Sequence, residues 1–130
     1  MILLLEKELP IDNLTAVEQT LAAECGPFSF FALALREDSP DRWDLLVAAP
    51  WISAAEREAL RRIANAVTGT LSDLEILKIS RIVILHKSDP ILHGLHSTFP
   101  DQIHNEMMQD LVSNGMLIEY LYVFVSDATL

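Results

Sequence analysis

The spacing of apolar positions changes several times along this chain, and each change marks the edge of an element. Residues 28–36 read FSFFALALR. Side chains on a strand alternate between faces with period two. One face then carries Phe28, Phe30, Ala32, Ala34 and Arg36, and the other carries Ser29, Phe31, Leu33 and Leu35. Residues 43–49 repeat the pattern, with Trp43, Leu45, Val47 and Ala49 opposite Asp44, Leu46 and Ala48. Aromatic and branched side chains suit a pleated, half-buried surface. Between the two blocks, Glu37-Asp38-Ser39-Pro40-Asp41 is turn chemistry: Pro40 fixes its own φ, and Ser or Asp bonds nearby backbone. A hairpin is expected here, with both faces apolar enough to need covering.

Helical spacing flanks the hairpin. Leu14, Val17 and Leu21 share one face of a helix capped by Asp12 or Asn13, which should stop at Gly26-Pro27. Ser53 and Glu56 form a capping-box pair ahead of a helix over 53–68, with Leu60, Ile63, Ala64 and Val67 inward and Gly69 as its stop. Ser72 and Glu75 form a second box, starting a short helix that ends near Lys78. Ile82-Val83-Ile84-Leu85 lacks alternation, which suits a strand buried on both faces. Ser88-Asp89-Pro90 opens a helix with proline at its first position, where a missing N–H costs nothing. A further helix is expected from Asp101, with Ile103, Met107 and Leu111 inward and Asn114-Gly115 as its end. The last strand runs from Met116, with Ile118, Tyr120, Tyr122 and Phe124 on one face. Residues 1–9 suit either an edge strand or a helical turn.

The sum is an α+β (or small α/β) fold. It predicts a mixed four- to five-stranded sheet with a central hairpin, one βαβ crossover, and helices packed on it. Residues 1–130 form a single globular domain, the default at this length.

Composition narrows the class. The chain is 51% hydrophobic, which argues against disorder, and its apolar runs are far short of the roughly 20 residues a membrane span needs. The single cysteine, Cys25, has no internal partner for a disulfide. A cytoplasmic location is the expectation. Net charge is −10, and every Lys and Arg lies at or before Lys87. Nucleic acid is thereby disfavoured as a partner, because phosphate affinity comes from clustered cations. An acidic field suits basic proteins instead.

Candidate chemistry is sparse. Four widely spaced glycines and no Gly-x-Ser-x-Gly elbow rule out the usual phosphate loops and serine-hydrolase turn. Cys25 sits near a helix C-terminus, where the dipole disfavours a thiolate. His86, His93, His96 and His104 lie within one acidic segment, and His93 and His96 are three apart on one predicted helix. Imidazoles with carboxylates suit zinc, so His93, His96 and His104 are candidate metal ligands, although no recognised spacing is matched. Ala49-Pro50-Trp51-Ile52-Ser53 joins a strand end to a helix start, and crevices outside such strand ends commonly hold ligands. There Trp51 could stack on a ligand or simply fill core, and Ser53 is assigned to capping. Glu37, Asp38, Asp41 and Asp44 form an acidic turn without the lysine of a nuclease-like site.

No catalytic or cofactor site is assigned. The expected function is a non-enzymatic protein-interaction or regulatory module, contacting a second copy of itself as a homodimer or a basic protein. The alternative is a small metal-dependent hydrolase using the histidine-rich segment 86–106.

Overall fold

The computed structural model describes residues 9–36, 42–98, 106–113 and 116–127. In chain order the elements are α1 (Ile11–Cys25), β1 (Phe30–Arg36), β2 (Trp43–Ala48), α2 (Pro50–Ala54), α3 (Glu56–Thr70), α4 (Asp73–Ile76), β3 (Ile79–Ile84), α5 (Pro90–Thr98), β4 (Glu106–Ser113) and β5 (Met116–Ser126). The five strands form one mixed sheet of order β3-β2-β1-β5-β4.

The hairpin is its centre. β1 and β2 pair antiparallel, with Phe31 opposite Val47 and Leu33 opposite Leu45. β2 pairs β3 in parallel, and α2, α3 and α4 carry the crossover between them. Phe30, Phe31 and Leu33 have no exposed surface, and each such side chain contributes about 1.5–3 kcal/mol through burial.

Two cores lie on opposite faces of the sheet. Phe31, Leu33, Leu45 and Val47 meet Leu14, Val17 and Leu21 of α1 and Ala59, Ile63 and Val67 of α3. Phe30, Ala32, Leu46 and Ala48 meet Leu92 and Leu95 of α5, with Leu85 beside them. The small residues Ala32, Ala34 and Ala48 suit the second face, where a single nine-residue helix is the described cover.

Several expectations are corrected. Residues 106–113 are a strand, not a helix: β4 pairs antiparallel with β5, and Ser113 stands opposite Met116. That register leaves only Asn114 and Gly115 between the strands, and Asn-Gly is the strongest short hairpin signal. Residues 101–105, 114–115 and 1–8 lie outside the described residues.

The box at Ser53 does not form. Pro50 starts a short helix a turn earlier, Ala49 is its N-cap, and the chain breaks at Ala55 (φ −151°, ψ 71°) before α3 begins. Ala59 is buried within α3, while Leu60 is 39% exposed. Gly69 does not stop that helix, which ends on Leu71 in extended backbone. α1 has Pro10 at its N-cap without a side-chain cap, and Asp12 lies in its first turn.

In β5, register shifts against β1 put Ile118 in the α5-facing core, away from Tyr122 and Phe124. β3 is an edge strand and only partly buried, rather than covered on both faces. The box at Ser72 is complete: its hydroxyl accepts from the Glu75 amide, and Glu75 Oε1 accepts from the Ser72 amide at 2.9 Å. No helix among the described residues is long and apolar enough to cross a membrane.

Candidate functional site

β2 and β3 run parallel, so their C-terminal ends emerge on the same edge of the sheet. The hydrogen bond from the Leu85 amide to the Val47 carbonyl (2.8 Å) continues the pairing one step past β3. Beyond it the two chains part, β2 into α2 at Pro50 and β3 into a turn at Lys87. Asp89 Oδ1 accepts from the Ile91 amide at 2.9 Å and so starts α5, which returns across the same edge. The result is a concavity of about 620 Å³, within the usual size range for small-molecule sites.

Its lining is graded. Ser29, Ala48, Ala49, Leu85 and Leu92 are buried, whereas Pro50, Ser53, Lys87, His93 and Ser97 are exposed. The inner wall is therefore mostly aliphatic, and the outer residues, Pro50 apart, are polar or cationic. Among the described residues no carboxylate lines it, in a chain with nineteen acids and nine bases.

His96 is half-buried between the two zones. Its Nε2 lies 3.0 Å from the Ser29 carbonyl oxygen. A carbonyl can only accept, so Nε2 carries the proton of this bond. The ring also meets Phe30 edge-on at 5.9 Å. The Ser29 carbonyl accepts a second bond, from the Asp127 amide at 2.8 Å. One oxygen thereby ties α5 and the end of β5 to the start of β1.

The two sequence leads converge here. His93 and His96, three apart on α5, line the same concavity as Ala49, Pro50 and Ser53. Ser53, released from the expected capping bond, is part of that lining. Trp51 is not. It packs edge-on against Phe28 at 5.3 Å in the other core, above Gly26. His86 also points elsewhere, with Nε2 3.6 Å from Glu56 Oε2. His104 lies outside the described residues, as do Glu37, Asp38 and Asp41. Asp44 is buried, and its Oδ2 stands 3.3 Å from Arg81 Nε, an ion pair within the sheet. Cys25 Sγ accepts from Arg62 Nη1 at 3.3 Å. Among the described residues no three His, Cys, Asp or Glu groups are placed to share a metal ion.

Sequence reasoning missed Ser29, Lys87 and Ser97. Lys87 had a usable signal: it directly follows the second strand of the predicted crossover, where the crevice rule places ligands. Ser29 had none, because its contribution depends on tertiary packing. No family model matches the chain, and no curated protein or solved structure matches it either.

Proposed function

We propose that this protein is a non-enzymatic regulatory module whose input is a small molecule bound in the concavity between α5 and the ends of β2 and β3. Its output is contact with other proteins, a second copy of the chain first among them. The observation that carries the reading is the graded cavity itself. It has the size and aliphatic wall of a small-molecule site, with a few polar groups at one side to orient a ligand. The sheet edge above a parallel strand pair is where ligands collect in such folds.

Self-association is supported by a separate feature. Leu74 and Leu77 are 76% and 65% exposed, beside the start of edge strand β3. Symmetric pairs are the commonest soluble oligomers, and an acidic chain also suits a basic partner.

A small metal-dependent hydrolase using segment 86–106 is the second reading. It is favoured by His93 and His96 sharing one concavity. Against it, the bond to Ser29 occupies His96 Nε2, leaving Nδ1 as its available ligand atom.

The test is thermal stabilisation across a panel of small organic solutes, on wild type and on Ser97→Trp. Position 97 is exposed, so the indole obstructs the concavity without entering the core, and circular dichroism checks the fold. At least one solute should raise the wild-type Tm and leave the variant unmoved. A panel that moves neither protein, or both equally, contradicts the reading.

A further inference from the structure

We infer that the ligand is an amphiphilic organic anion: an aliphatic body of medium length carrying one carboxylate or phosphate head. The inference rests on the binding reading above and adds the chemical class.

Charge is the first ground. The whole chain carries −10, so its general field repels anions. A site for a cation would be expected to draw on the abundant carboxylates. The lining instead combines Lys87 and His93 with the hydroxyls of Ser53 and Ser97, and among the described residues it includes no acid. Lys87 is the last Lys or Arg in the sequence, and it stands at this rim.

Placement is the second ground. Lys87, His93, Ser53 and Ser97 are all exposed, while Ala48, Ala49, Leu85 and Leu92 are all buried. A ligand that satisfies both sets has a charged end outward and a hydrocarbon end inward. An ammonium head would meet Lys87. A neutral alcohol would gain the aliphatic contact but not the charge.

His96 has a different part. Its Nε2 proton is used on Ser29, so a neutral His96 presents no second N–H to an anion. It is a positioning residue, holding α5 at the distance that leaves the concavity open.

The experiment is calorimetric titration of the full chain with octanoate, octyl phosphate, octanol, octylamine and acetate. Octanoate and octyl phosphate should bind, with octanol weaker and octylamine and acetate silent. Lys87→Gln should weaken octanoate binding by about fivefold, the worth of a rim charge pair, and should leave octanol binding unchanged. Both Lys87→Gln and His93→Gln alter exposed positions, so folding is retained. Octanol binding as tightly as octanoate, or octylamine binding best, overturns the inference while the binding reading stands. If none of the five binds but another solute passes the Ser97→Trp test, the inference again fails alone. If no solute of either set binds, both fall.

Discussion

His96 Nε2 donates to the Ser29 carbonyl oxygen across 3.0 Å, joining α5 to the start of the central strand. The residues are 67 positions apart in the chain, and α5 is the described cover of the second sheet face. Replacing His96 by Ala removes this bond, worth about 0.5–1.5 kcal/mol, and the edge-on contact with Phe30, worth a similar amount. A loss of about 1–3 kcal/mol in unfolding free energy is expected. Amide exchange should accelerate over Pro90–Thr98 more than over α1 or α3. Uniform acceleration across all helices would show that His96 stabilises only globally.

Gly69 lies inside α3, and a Cβ built there meets nothing within 4 Å. Gly69→Ala should therefore stabilise the protein by about 0.5–1 kcal/mol through helix propensity alone. A denaturant midpoint that rises with an unchanged slope is the expected result. Destabilisation would mean that the glycine is needed for contact or motion.

Gly26 behaves in the opposite way. Its φ of +127° is one that L side chains rarely adopt, and an added Cβ would sit 3.2 Å from Trp51 Cδ1. Gly26→Ala should cost about 1–3 kcal/mol from the strained backbone, read by chemical denaturation. Together the two glycines separate a tolerated residue from a required one.

Glu75 gives the pH dependence. The Ser72 backbone amide, then the Asn13 side chain, hold its carboxyl below the ordinary value of 4.5. A carboxylate favoured in the folded state adds stability above its unfolded pKa and loses it as pH falls through the folded value. The stability gap between wild type and Glu75→Gln should be full near neutrality and shrink as pH falls below about 4.5. A gap that stays constant down to about pH 3 would separate the effect from ionisation.

Leu74 and Leu77 test the self-association half of the proposed function. Both are exposed, so Leu74→Glu with Leu77→Glu leaves the core intact. Light scattering should show a dimer for wild type and a monomer for the double variant. A wild type that is strictly monomeric at high concentration removes the homodimer.

Much of the architecture was legible because local pattern and tertiary packing agreed. Alternation in residues 30–36 and 43–49 matched a strand pair buried on both faces, although Phe28, expected on the face of Phe30, precedes the strand and packs in the opposite core; Pro90 marked a helix start where one exists. The failures came where two signals competed. Met107 and Leu111 sit at helical spacing, yet β-pairing of residues 106–113 with β5 prevailed. Ser53 and Glu56 satisfied the capping-box pattern, but Pro50 had already begun a helix and left Ser53 inside it. Ile118 changed core because register shifts break strict alternation, and nothing local encodes them. The candidate site was half legible. His93, His96 and residues 49–53 were singled out separately, but their meeting across α5 and the sheet edge is a property of topology.

The most direct measurement is an amide chemical-shift map of the full chain titrated with octanoate. The largest changes should fall on Ala48, Ala49, Lys87, Leu92, His93 and Ser97, with Leu74 and Leu77 little affected. Changes centred on Leu74 and Leu77, or scattered evenly over the surface, would contradict a binding site between α5 and the ends of β2 and β3.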